Sequence, residues 1–175
     1  TSSVDTGQLS GTIIGVPIVK LIGFTRGSRY LPDRRDLNRY FPGNPDGSSA
    51  ARIAHTFFSQ VIGHCDYLVD FHTGSLKRTN LPQLRADLSQ PMVHAFAGRF
   101  GATPVLHKPA APGTLRAAAT AAGIPAITFE LGAPGLVGAR HVEFGERALE
   151  TLIDRLGMVR RFRLWSDSQR FYYES

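Results

Sequence analysis

The chain has 175 residues, of which 42% are hydrophobic and 19% are charged, a composition that excludes a disordered protein and fits a single globular domain. The net charge of +6 raises the question of nucleic-acid binding, but only three of the 20 basic residues are lysines and no sustained basic tract occurs, so this class is the least favoured. No apolar run reaches the roughly 20 residues of a membrane span and no secretory signal opens the chain, so we expect a cytoplasmic protein with neither a nucleic-acid nor a membrane partner.

Hydrophobic patterning predicts strands and helices that alternate along the chain. A nearly continuous β-branched apolar run predicts a strand buried on both faces over 11–24, and Gly, Pro, Asp and Asn without periodicity predict a long functional loop over 26–47. The remaining predictions, in chain order, are helix 48–63, strand 66–72, a polar stretch to 90, helix 91–100, strand 103–106, helix 113–122, strand 124–132 and helix 142–157. This order predicts an α/β fold with a mixed central sheet flanked by helices on both faces.

Three candidate functional segments follow the ends of predicted strands. They are the arginine-rich loop after residue 24, His72 and Glu130. Because ligand groups gather beyond the carboxyl ends of strands in such sheets, we expect these segments to converge on one edge.

Each candidate residue has a functional and a purely structural interpretation. Asp70 and His72 share a strand face, which suits a zinc-binding imidazole with a carboxylate behind it, or equally a hydrogen-bonded histidine at a strand end. Glu130 ends an apolar strand, where it could serve as a general base or lie at the surface.

The loop residues Arg29, Asn38 and Arg39 also allow two interpretations. A guanidinium offers a planar two-pronged donor to a carboxylate, and a neighbouring amide adds further donors. Alternatively, the arginines pair at the surface with Asp33 and Asp36.

Three segments together are similar to a known family. DLNRYFPG (36–43), VDFHTG (69–74) and GIPAITFELG (123–132) resemble the succinylglutamate desuccinylase/aspartoacylase family of zinc-dependent amide hydrolases, and the resemblance runs from about residue 9 to residue 150. It implies a zinc carboxypeptidase-like fold, one zinc ion per complete enzyme and a metal-dependent amidohydrolase acting on non-peptide linear amides. The implied substrate is a small N-acyl amino acid or a similar anionic, carboxylate-bearing compound.

The resemblance also implies roles for individual residues. His72 matches a zinc ligand, Glu130 matches the glutamate that activates water, and Arg29 matches the arginine that polarises the scissile carbonyl. Asn38 and Arg39 match the pair that holds the substrate carboxylate, and Arg116, in GTLR, resembles a further substrate-binding arginine.

One feature of the family is missing from the chain. The first two zinc ligands of the family come from a G-x-H-G-x-E type motif ahead of DLNR, whereas none of the six histidines here has a Glu three residues later. We therefore expect a fragment, with 1–160 a catalytic domain lacking its N-terminal part and 161–175 the start of a C-terminal β domain. The alternative is a relative that has lost the metal and acts as a non-catalytic anion-binding module. A truncated sheet edge would also permit a homo-oligomer.

Overall fold

Strands and helices alternate along most of the chain in a computed structural model that describes residues 6–74, 79–135, 138–159 and 172–174. The α-helices are α1 (Leu21–Thr25), α2 (Ser49–Gln60), α3 (Pro91–Ala97), α4 (Leu115–Ala121) and α5 (Ala139–Arg155). The strands are β1 (Leu68–His72), β2 (Asn80–Ala86), β3 (Val105–His107), β4 (Ala126–Gly132) and β5 (Tyr172–Glu174). The predicted helices after residue 47 and the strands at 66–72, 103–106 and 124–132 are confirmed, with bounds that differ by a few residues.

The predicted strand over 11–24 is wrong. Residues 12–20 contain no helix or strand, and the short helix α1 follows. The large apolar side chains of this segment are exposed, Phe24 by 66%. A strand needs a neighbour to satisfy its amides, and among the described residues none pairs with this segment; Pro17 also lacks an amide hydrogen.

Strand β2 lies where the sequence predicts only a polar stretch. The polar residues Asn80, Gln83 and Arg85 interrupt the alternating apolar pattern that would predict a strand, and Pro82 argues against a strand interior. The pairing of β2 with β4 shifts register between Asn80 and Gln83, and such an irregularity is where a sheet accommodates a proline.

The chain divides into two compact units: unit 1 comprises 1–13, 71–108 and 127–175, and unit 2 comprises 14–70 and 109–126. The sheet has the order β1–β4–β2–β3–β5, and β1 contributes its last two residues to unit 1. Strand β2 is antiparallel to β4 and parallel to β3, which confirms a mixed sheet. The core of unit 1 contains fully buried large side chains, namely Phe96, Phe100, Phe129, Leu84, Ile127 and Val93.

Unit 2 anchors the long loop that carries the arginines. Leu37 and Phe41 are buried in one apolar cluster with Ala54 of α2 and with Leu115 of α4. Both helices begin with a side-chain cap: the Ser48 hydroxyl accepts from the amide of Ala51, and the Thr114 hydroxyl accepts from the amide of Ala117. The two residues between Leu37 and the Tyr40–Phe41 pair, Asn38 and Arg39, are therefore held between buried anchors.

One sequence prediction concerns the C-terminal part of the chain. Residues 160–171 lie outside the described residues, and β5 pairs in parallel with β3, while the predicted division into 1–160 and 161–175 stays a prediction. No helix in the described ranges is long and apolar enough to cross a membrane.

Candidate functional site

Glu130 lies in the interior of unit 1 near the end of β4. Its residue is 4% exposed, and Ile127, Thr128 and Phe129 before it are also buried. Of the two interpretations open from the sequence, a surface position is therefore wrong. A buried carboxylate requires partners, because losing its hydration costs several kcal/mol.

Both oxygens of the Glu130 carboxylate have partners on β2. Asn80 Nδ2 donates to Oε2 at 2.7 Å, and Arg85 Nη1 lies 3.1 Å from Oε1 in an ion pair. Sequence reasoning missed both partners because it did not predict β2. The run NLPQLRA (80–86) carries no signal that would have found them, because its polar residues and Pro82 argue against a strand.

His72 ends β1, the strand that neighbours β4, and it is half-buried. The rings of Phe71 and Phe129 stack with centroids 5.5 Å apart, so these two residues share one face of the sheet. Since side chains alternate along a strand, the following residues, His72 and Glu130, both point to the opposite face. The structure thus places two of the predicted site residues on neighbouring strand ends and on one face.

A complete metal site is not found among the described residues. No group of three or more His, Cys, Asp or Glu there could hold a metal ion. His72 remains the single predicted ligand, and its predicted support from Asp70 stays a prediction.

Arg29 is tied to the loop by an ion pair in unit 2. Its Nη2 and Nε lie 2.9 and 3.1 Å from Asp36 Oδ2, its side chain is 56% exposed, and its carbonyl oxygen accepts from Lys20 Nζ. Arg35 Nη1 similarly lies 2.9 Å from Asp33 Oδ2. The pairing of loop arginines with Asp33 and Asp36, one of the two interpretations open from the sequence, is therefore present.

Asp36 organises the segment that follows it. Besides accepting from Arg29, it accepts through Oδ1 from the amide of Asn38 at 3.1 Å. Partial burial raises the pKa of Asp36. The hydrogen bonds from Arg29 and from the backbone amide of Asn38, together with the charges of Arg29 and Arg39, lower it by more than burial raises it, so the pKa lies below its ordinary value.

Replacing Asp36 with Asn is expected to lower the free energy of unfolding at pH 7, and the difference from wild type is expected to close as the pH falls. A carboxyl whose pKa is depressed in the folded state stabilises above its unfolded pKa, about 3.9, and loses that contribution as the pH falls through the lower folded value. Urea unfolding between pH 7 and pH 3 measures this. Asp46→Asn, at an exposed position of the same unit, is the control; a difference for Asp36→Asn that is as large at pH 3 as at pH 7 would contradict the role of the charge.

The structure connects Asn38 and Arg39 to the start of α4, next to Arg116. Asn38 Oδ1 accepts from the amide of Leu115, the first residue of α4, at 2.7 Å, and Arg39 Nη1 donates to the carbonyl oxygen of Asn38 at 2.6 Å. Gly113, at φ +80°, approaches so closely that a Cβ there would lie 2.5 Å from the Arg39 carbonyl oxygen. Arg116 itself is buried, with 8% exposed.

Unit 2 thus links Arg29, predicted to polarise the carbonyl, to the predicted substrate-binding residues Asn38 and Arg39. Arg29 reaches Asn38 through Asp36, and Asn38 reaches the residue before Arg116. The guanidinium groups of Arg29 and Arg39 both act on the single carboxylate of Asp36, and this local excess of positive charge suits an anionic ligand. His72 and Glu130 belong to unit 1, so the predicted convergence of both groups on one edge stays a prediction.

Comparisons with known proteins agree on one family. A family model described as the succinylglutamate desuccinylase/aspartoacylase catalytic domain matches residues 1–156. The N-alpha-acetyl-L-2,4-diaminobutyric acid deacetylase of Halomonas elongata is 27% identical over 167 residues, which cover 91% of this chain and 49% of that protein.

Solved structures of similar proteins show the same fold. The product-bound ectoine utilization protein EutE (DoeB) from Ruegeria pomeroyi has a TM-score of 0.85 at 26% identity, over 99% of this chain and 55% of that chain. A succinylglutamate desuccinylase/aspartoacylase from Rhodobacter sphaeroides has a TM-score of 0.81 at 25% identity, over 97% and 54%. The chain spans about half the length of these relatives.

Proposed function

The chain belongs to the succinylglutamate desuccinylase/aspartoacylase family, and from this premise we propose that it is part of a hydrolase that cleaves the amide bond of a small N-acyl amino acid. The name of the relative from Halomonas elongata, a deacetylase of an N-acetylated amino acid, supports this substrate class. The observation that carries the proposal is the buried Glu130 carboxylate, fixed at both oxygens and on the same sheet face as His72.

Glu130 has the role of general base in this proposal. Water attacks the carbonyl carbon of the amide while Glu130 accepts a proton from it; the same proton then passes to the nitrogen of the leaving amine as the C–N bond breaks. The products are a carboxylate and an amine. The oxygen of the attacked carbonyl gains negative charge on the way, and the Arg29 guanidinium would stabilise it.

The loop residues bind the substrate carboxylate. Asn38 and Arg39 are consecutive and are held in place from both sides, since Asp36 fixes the Asn38 amide and the start of α4 fixes its side chain. Preorganised donors lose less entropy when a ligand binds. Arg116, which is buried and follows Leu115 in α4, is the further substrate-binding arginine of this proposal.

Zinc dependence is part of the proposal, with His72 as one ligand. A catalytic zinc site takes about three protein ligands, and the described residues supply only one predicted ligand, so they do not by themselves fit the ion. The remaining ligands would have to come from other residues of the complete protein.

The proposal is tested by purifying the complete protein that carries this chain and measuring both zinc per chain and release of free amine. The substrates are N-acetyl-L-2,4-diaminobutyrate, N-acetyl-L-aspartate and N-succinyl-L-glutamate, and the α-carboxyl methyl ester of each is the matched control. We expect amine release from at least one carboxylate substrate, a much weaker reaction with its ester, loss of activity on chelation and recovery when zinc is restored. Carboxylate binding that chelators do not affect, without any amine release, would instead favour the non-catalytic anion-binding module.

A further inference from the structure

We propose that Asn80 and Arg85 are positioning residues, which hold the Glu130 carboxylate in the orientation that proton transfer requires. The inference rests on the proposed function, because it assumes that Glu130 is the general base. The inference goes beyond the proposed function because it assigns a role in the reaction to β2, a strand that carries none of the residues matched to the family.

Asn80 and Arg85 together hold both oxygens of the Glu130 carboxylate, and we call this pair of contacts the clamp. Asn80 binds one oxygen at 2.7 Å and Arg85 binds the other at 3.1 Å. With both oxygens held from β2, the carboxylate plane cannot rotate freely about the last side-chain bond of Glu130. A single contact would leave that rotation open.

A register shift in the pairing of β2 with β4 places Asn80 on the same face of the sheet as Glu130. Gln83 lies opposite Glu130 and Asn80 lies opposite Gly132, so three steps along β2 match only two steps along β4. In regular pairing Asn80 and Gln83 would point to opposite faces; the extra residue turns Asn80 to the face of Glu130. Such irregularities commonly redirect a side chain beside an active site.

The clamp leaves Glu130 able to accept a proton. An ionised carboxylate has about four lone-pair positions on its two oxygens, and each of the two partners uses one. Both oxygens therefore retain an acceptor position for the proton of water. Arg85 also offsets the cost of burying the charge, since the Glu130 side chain is 5% exposed and that of Arg85 is 28% exposed.

The test measures kcat and KM of the complete protein for Arg85→Met, Arg85→Lys and Asn80→Leu, with the best substrate found for the wild type. We expect Arg85→Met and Asn80→Leu to lower kcat about 10- to 100-fold, as for misplaced catalytic groups, with KM little changed. Arg85→Lys should recover part of kcat, because an ammonium still pairs with one oxygen but lacks the planar fork. The matched control is Arg147→Met, which removes an Arg–Glu pair with Glu143 from the surface of α5 and should leave both constants unchanged.

The outcomes separate this inference from the proposed function. If Glu130→Gln loses turnover while Arg85→Met and Asn80→Leu both keep the wild-type kcat, the positioning role is overturned and the general base stands. If Glu130→Gln keeps turnover, the general base is overturned. Should Arg85→Met fail to fold, as judged by circular dichroism, Asn80→Leu decides alone, because it removes a neutral donor and leaves the buried charge paired. A loss of kcat in Asn80→Leu that matches only a loss of folded protein would also overturn the positioning role.

Discussion

Replacing Glu130 with Gln is expected to lower kcat of the complete protein about 100- to 10,000-fold, the range for loss of a general acid–base group. Gln has nearly the same shape as Glu but cannot take a proton from water at neutral pH. Its side-chain oxygen can still accept from Asn80 or Arg85, so the packing around β4 should survive. Steady-state kinetics with amine detection measure the effect, and equilibrium dialysis should find substrate binding nearly unchanged.

The matched control for this variant is Glu143→Gln. Glu143 lies on α5 with a side chain 61% exposed, so the same chemical change occurs there without a buried carboxylate. We expect Glu143→Gln to have the kcat and KM of the wild type. Both variants, Glu143→Gln and Glu130→Gln, should contain as much zinc as the wild type. Normal turnover in Glu130→Gln would show that another group accepts the proton.

Most helices could be predicted because their signals are local. The start of α2 has Ser48 as a cap and the start of α4 has Thr114, and both caps are present in the structure. Helix α3 begins at Pro91, a residue preformed for the first helical position. Capping depends on residues within one turn of the helix end, so the sequence alone contains it.

The two wrong or missing strand predictions depend on partners far away in the chain. The run over 11–24 is apolar enough for a buried strand, yet among the described residues it has no neighbouring strand and lies largely exposed. Strand β2 has a weak apolar pattern, yet it pairs on both sides, with β3 and with β4. Propensity and pattern do not reveal which segments become neighbours, so packing overrode them in both places.

The residues of the candidate site also fall into two groups, those predicted from local motifs and those that depend on strand pairing. The resemblance of the motifs already predicted His72, Glu130 and the four loop and helix residues. Asn80 and Arg85 were out of reach, because their contact with Glu130 depends on one extra residue in the pairing of β2 with β4. The role of Asp36 as the acceptor for both Arg29 and the Asn38 amide could be expected only in part, as one of two alternative pairings of the loop charges.

Replacing Phe41 with Ala is expected to lower the free energy of unfolding by about 3–5 kcal/mol, the usual cost of removing a buried phenyl ring. Phe41 is 7% exposed, its ring lies edge-on to that of Phe57 with centroids 6.3 Å apart, and its amide donates to the carbonyl oxygen of Gly113 at 2.9 Å. Urea unfolding should show a lower midpoint with an unchanged slope. Phe41→Leu, which keeps most of the apolar volume, is the control and should cost less than about 1.5 kcal/mol.

The same variant tests how the loop presents Asn38 and Arg39. These residues lie between the buried side chains of Leu37 and Phe41, so losing one anchor frees the C-terminal side of the pair while Asp36 still fixes the Asn38 amide. If the pair binds the substrate carboxylate, KM should rise in the fraction of Phe41→Ala that remains folded, with a smaller effect on kcat. An unchanged KM in that variant would mean that Asp36 and the start of α4 alone hold the pair, or that the carboxylate binds elsewhere; Arg39→Met separates these two outcomes, since only the first predicts that it raises KM.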